Sequence, residues 1–100
     1  MKKHLYHTYV LTNPSRTSFY TGVTNNMRAR LERHRQEAAA YNKKKYTGRY
    51  NCIHLVYIED HEWIQDAIRR EKEIKGWTRA KKLALIRSVN PDMRFLEVDW

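Results

Sequence analysis

One hundred residues, 41% apolar and 12% aromatic, suffice for one modest core but not for two, so residues 1–100 are expected to form a single domain rather than a disordered basic tail. The net charge of +9 is one-sided: residues 1–50 carry 11 Lys/Arg against Glu32 and Glu37, whereas residues 51–100 carry nine of each sign, which points to a polyanion partner. No stretch approaches the roughly 20 apolar residues of a membrane span, no apolar segment follows Met1-Lys2-Lys3, and the lone Cys52 excludes an internal disulfide or a Cys-rich metal site, so the expectation is a cytoplasmic, reduced protein.

Two apolar runs, Tyr6 to Leu11 and Ser18 to Val23, flank Asn13-Pro14-Ser15, whose composition is that of a turn; together they predict a β-hairpin. Thr24, Asn25 and Asn26 are helix-capping residues and introduce a basic helix from Met27, expected to fade near Ala38 to Ala40. At 100° per residue Met27, Leu31 and Ala38 share its apolar stripe, with Arg30 and His34 flanking or within it and leaning over the sheet edge. Hairpin and helix therefore direct Tyr9, Tyr20, Arg30 and His34 towards one corner.

From Tyr41 to Tyr50, three tyrosines alternate with Lys43, Lys44, Lys45 and Arg49, and Tyr46 lies among them. That mixture suits phosphate contacts and base stacking as well as it suits a solvated loop. The β-rich run Asn51 to Ile58 predicts a strand covered on both faces, with Cys52 in the core, and Asp60 is expected to cap the helix that follows. In that helix Ile64, Ala67, Ile68, Glu71, Ile74 and Lys75 fall on one packed stripe. A carboxylate there requires a partner, because desolvating it alone costs several kcal/mol. Either an ion pair with Arg30 or a lysine, or a metal, would satisfy Glu71.

Thr78 can cap a third helix from Arg79 to about Ser88, with Leu83 and Ile86 inward. Its first turn holds Arg79, Lys81 and Lys82, the unfavourable sign for a helix N-terminus unless they face water or a bound phosphate. Asn90-Pro91 ends the helix, and Phe95, Leu96, Val98 and Trp100 give the tail apolar surface to pack back. The reading is an α+β fold: a small three-stranded antiparallel sheet flanked by about three helices, in the order β-β-α-β-α-α.

The ordered set Tyr9, Tyr20-Thr21-Gly22, Arg30-x-x-x-His34, helical Glu71 and late Asn90 resembles the GIY-YIG endonuclease superfamily over residues 6 to 91. The similarity is to its small single-domain branch and to the amino-terminal nuclease domain of the excision-repair subunit UvrC. His7-Thr8 stands where that family's first Gly-Ile would be, Thr21 replaces its second isoleucine, and Met93 replaces a frequent aromatic.

The resemblance implies a DNA endonuclease that uses Mg²⁺ or Mn²⁺ held on Glu71, with water and a substrate phosphate completing the shell. It assigns Tyr9 as general base, His34 as the acceptor or relay of its proton, Tyr20 and Asn90 as positioning groups, and Arg30 as a planar cation for the phosphate. A tyrosine is a poor base unless Arg30, the metal or His34 favours its phenolate. Arg28, Lys43, Lys44, Lys45, Tyr46, Arg49, Arg79, Lys81 and Lys82 are the candidate nucleic-acid contacts, and a protein partner is a further expected source of specificity. The alternatives are a catalytically silent nucleic-acid-binding module of the same fold, and a structural role against an acidic protein.

Overall fold

A computed structural model describes residues 5–42 and 51–98. Strands β1 (Tyr6–Thr12) and β2 (Phe19–Thr24) lead into helix α1 (Met27–Asn42), then β3 (His54–His61), α2 (Ile64–Lys75) and α3 (Arg79–Val89). The sheet is antiparallel in the order β2-β1-β3, so the expected architecture is observed, with the first strand in the centre.

A central strand sees both faces of the sheet, and β1 alternates accordingly. Tyr9 and Leu11 pack with Met27, Leu31, Cys52 and Leu55 under α1. Val10 packs with Val56, Tyr57, Ile86 and Met93 on the side of α3. Val10 pairs with Tyr57 but Leu11 with Leu55, leaving Val56 as the extra residue of a bulge. The bulge lets Val56 and Tyr57, although consecutive, enter the same core.

The connections are built from short polar side chains. Asn13 accepts the backbone N–H groups of Thr17 (2.8 Å) and Ser18 (3.0 Å) on its Oδ1, which shapes the hairpin turn. Asn26 caps α1 by accepting the Ala29 N–H at 3.1 Å, and Thr78 caps α3 by accepting the Lys81 N–H at 3.2 Å.

The third strand and second helix differ from expectation. β3 begins at His54, with Cys52 buried just ahead of it, and runs on through His61, which pairs with Tyr6. Asp60 is thereby consumed in the ladder opposite His7, whose Nδ1 lies 2.7 Å from its carboxylate, and it does not cap α2. The cap position falls to Trp63, which makes no side-chain capping bond.

Of the six stripe residues, α2 buries only Ala67 and Ile74, while Ile64 and Ile68 are 37% and 39% exposed. The Thr8 hydroxyl donates to the Ala67 carbonyl at 2.9 Å, and the small alanine allows that approach. Contact is thus a narrow line through Ala67 and Ile74. At 100° per residue Ile64, Ile68, Glu71 and Lys75 share one flank and Arg70 lies on the other. Arg70 reaches β3, donating to Glu59 at 2.9 Å and to Glu73 at 2.7 Å, with its guanidinium over Trp77. Glu59 also accepts the Tyr57 hydroxyl, and burial followed by that bond pushes the Tyr57 phenol up to about 12.

The tail returns to the sheet through Leu96, whose N–H donates to Leu55 at 2.7 Å. Asn90 organises that return. Its amide donates to the Val56 and Arg94 carbonyls, both at 2.9 Å, and accepts the Arg94 N–H at 3.0 Å. Asn90→Ala deprives buried backbone groups of their partners and is expected to lower unfolding stability by about 2 kcal/mol. Urea unfolding checks this, and an unchanged midpoint would contradict it.

Candidate active site

Tyr9 on β1 lies directly opposite Gly22 on β2. A Cβ at Gly22 would stand 2.5 Å from the Tyr9 hydroxyl oxygen and 2.9 Å from the Tyr20 ring. Glycine is therefore required by close approach: only a bare backbone lets the Tyr9 ring cross β2 at this point. Tyr9 is 1% exposed, whereas Tyr20 is 41% exposed at the mouth of the corner.

Met27 and Leu31 fasten α1 to the core beside Tyr9 and Leu11, which turns the flanking Arg30 and His34 towards the two tyrosines. The Tyr9 hydroxyl is 3.0 Å from His34 Nε2. The His34 ring is edge-on to both phenols, at centroid distances of 6.0 Å from Tyr9 and 4.9 Å from Tyr20. Glu71 approaches from α2 closely enough to act on the Tyr9 ionisation, and its Oε1 is 3.1 Å from Lys75 Nζ. Lys75, in turn, lies over the Tyr20 ring at 5.8 Å. The partner required by Glu71 is thus Lys75 rather than Arg30.

Burial raises the Tyr9 phenol well above its ordinary value; Tyr20 and Glu71 add to this and Arg30 opposes it. Burial likewise lowers the His34 imidazole, helped by Arg30 and Arg33 and opposed by Glu37. At neutral pH Tyr9 is accordingly a phenol and His34 an uncharged imidazole; in the tautomer that carries its proton on Nδ1, the hydroxyl donates to Nε2. A resting phenolate, one of the ways in which Tyr9 was expected to act as base, is disfavoured by the low polarity around the ring.

Among the described residues no group of three or more His, Cys, Asp or Glu side chains is placed to hold a metal ion. A single carboxylate of 20% side-chain exposure at an open corner nevertheless suits Mg²⁺, which commonly retains waters and shares its shell with substrate phosphate. The residues fit that ion, and Glu71 would hold it.

The remaining candidates are dispersed. The hydrogen bonds of Asn90 make it a strut for the tail, with both amide hydrogens committed to backbone carbonyls. Arg28 lines an open groove of about 520 Å³ with Arg35 and Phe95. Arg79 donates to the Thr17 carbonyl at 2.7 Å and lies over Phe19, while Lys81 lies over Trp77 at 4.5 Å. The basic first turn of α3 is therefore accommodated by aromatic faces within the protein. Lys82 is partly buried in the same turn. Lys43, Lys44, Lys45, Tyr46 and Arg49 lie outside the described residues. Of the partners the sequence offers Glu71, Arg30 or a lysine, the structure selects Lys75, and its spacing of four residues is the local signal for it.

The family model of the GIY-YIG catalytic domain matches residues 5–84. The chain belongs to the GIY-YIG family. It is also similar to UPF0213 proteins of Staphylococcus aureus strains N315 and Mu50, 44% identical over 70 residues that cover 70% of this chain and 80% of each relative. Its fold is shared with the solution structure of the UPF0213 protein BH0048 from Bacillus halodurans, at a TM-score of 0.54 and 25% identity over 88% of both chains. Within this GIY-YIG domain, Tyr9, Tyr20, Gly22, Arg30, His34 and Glu71 converge on one corner, while Thr21 pairs with Val10 on the other face of the sheet.

Gly22→Ala is expected to drive Tyr9 off His34, abolishing their hydrogen bond at an overpacking cost of about 1–3 kcal/mol. The ¹⁵N shift of His34 Nε2 reports it, and an unperturbed resonance would show that the close approach is dispensable. In the same spectra His34 should titrate below the usual histidine value. Arg30→Gln should move that midpoint upward, though only part way, because burial is the larger cause. A midpoint unaffected by Arg30→Gln would place the arginine away from the imidazole.

Proposed function

We propose that the protein is a divalent-metal-dependent endonuclease that hydrolyses DNA phosphodiester bonds one strand at a time at this corner. The observation that carries the reading is the Tyr9–His34 hydrogen bond, a proton path from a buried phenol to an uncharged imidazole, set between a cation, Arg30, and a carboxylate, Glu71. Family membership supports nuclease chemistry and a nucleic-acid substrate. The basic first half of the chain supports a polyanion as well.

Tyr9 and His34 act together. The phenol oxygen takes a proton from the attacking water as the phenol hydrogen passes to His34 Nε2, so no free phenolate need accumulate. The resulting hydroxide attacks phosphorus, the bond to the leaving sugar oxygen breaks, and His34 is left as imidazolium. Arg30 supplies a planar charge for the phosphate oxygens, stronger in this half-buried position than in bulk water. Tyr20, at the mouth, positions the phosphate or the water. Glu71 would hold the Mg²⁺ or Mn²⁺ ion, which when bound polarises the phosphate and stabilises the departing oxygen. Substrate preference is assigned to nucleic-acid structure or to a protein partner.

The test is conversion of supercoiled plasmid, and of branched and flapped duplexes, to nicked product. Cleavage should require Mg²⁺ or Mn²⁺, cease in EDTA and vanish in Glu71→Gln. Tyr9→Phe should slow it by about 10²–10⁴-fold, the range of a lost general base. Because the reacting form of His34 is the neutral imidazole, kcat/KM should fall only at acid pH, below the usual histidine value, and stay level through neutrality. Salt-sensitive binding without cleavage of any of these substrates would favour the binding module and defeat the nuclease.

A further inference from the structure

We propose that Lys75 is an exchangeable counter-ion of this site: it neutralises Glu71 in the free protein and transfers to substrate phosphate when the carboxylate takes up a divalent cation. The inference rests on the nuclease reading of Glu71 and assigns the neighbouring lysine a role in the order of binding.

The geometry supports exchange over a static pair. Lys75 Nζ sits 3.1 Å from Glu71 Oε1 and 5.8 Å from the centroid of the Tyr20 ring. Tyr20 is itself 4.9 Å from His34, so the ammonium stands at the rim of the reacting corner. The lysine side chain is 52% exposed and carries its ammonium on a long stem, while the glutamate side chain is 20% exposed on a helix fixed by Ala67 and Ile74. With its lysine half exposed, the pair is screened by water and worth about 1 kcal/mol, which makes it displaceable.

The charge balance then sets the order of events. Arg30 and Lys75 bring two cations to a corner whose carboxylate, Glu71, is already paired with Lys75, so a divalent ion approaching the free protein meets net repulsion and an occupied ligand. Substrate phosphate brings the missing negative charge and a second seat for the ammonium. Metal and nucleic acid should therefore bind synergistically, and by linkage each tightens the other by the same factor.

Mn²⁺ affinity, measured by electron paramagnetic resonance of the free ion, tests this without reference to turnover. Wild type, Lys75→Met, Lys75→Arg and Glu71→Gln are compared with and without a phosphorothioate oligonucleotide that resists cleavage. Lys75→Met should bind Mn²⁺ roughly three- to fivefold more tightly than wild type in the absence of nucleic acid. The tightening produced by the oligonucleotide should shrink in that variant, and Lys75→Arg should restore wild-type behaviour. A merely structural ion pair would shift thermal stability and leave Mn²⁺ affinity unmoved. Equal or weaker affinity in Lys75→Met, with binding still lost in Glu71→Gln, overturns the exchange and leaves the nuclease reading standing. Unchanged Mn²⁺ binding in Glu71→Gln removes the metal from Glu71, and both readings fall.

Discussion

The hydrogen bond between the Tyr9 hydroxyl and His34 is the constraint around which this small domain is arranged. A phenol buried to 1% exposure in the middle of a three-stranded sheet requires a partner for its hydroxyl, since an unpaired one costs a few kcal/mol. The partner comes from α1, a helix that the hairpin delivers across the same face through the Asn26 cap. Gly22 is the condition for the arrangement, because any side chain there would occupy the space of the Tyr9 ring. The low polarity that packs the core thus also holds Tyr9 protonated and His34 neutral.

The two faces of the sheet divide the remaining work. Under α1 the apolar residues continue directly into the Tyr9–His34 corner, so packing of Met27 and Leu31 sets the positions of Arg30 and His34. The opposite face carries α3 and Met93, stabilised by the β3 bulge, the Asn90 amide and the bonds from Arg70 to Glu59 and Glu73, while the tail beyond Met93 returns to the α1 side through Leu96 and Val98. α2 bridges the two roles. Its Arg70 flank ties it to β3, and its Glu71–Lys75 flank faces the β2 side, where Tyr20 opens to solvent. That division accounts for an ionisable stripe on a helix that buries so little.

Among the described residues, four cations outside the corner lie over the protein's own aromatic rings: Arg16 over Phe95, Arg70 and Lys81 over Trp77, and Arg79 over Phe19. Such contacts hold long side chains in place at little cost in charge, since a guanidinium on a ring face still presents its edge to solvent. The net charge therefore remains a feature of the surface, even where individual cations have local partners.

The sequence by itself determined the order of elements, the hairpin turn, the Asn26 and Thr78 caps and the convergence of Tyr9, Tyr20, Arg30 and His34, because each depends on local spacing: period two in strands, 100° per residue in helices, and short polar side chains at caps. Glu71 was also legible, as a carboxylate on a largely apolar stripe. Tertiary structure decided what spacing cannot express. Strand pairing with Tyr6 extended β3 and drew Asp60 into the ladder; the Thr8 bond to Ala67 narrowed the contact of α2 and left Ile64 and Ile68 exposed; three backbone contacts claimed Asn90. The protonation of Tyr9 and His34 belongs to the same class, since desolvation is a property of what packs around a group and arises only when elements distant in the chain meet.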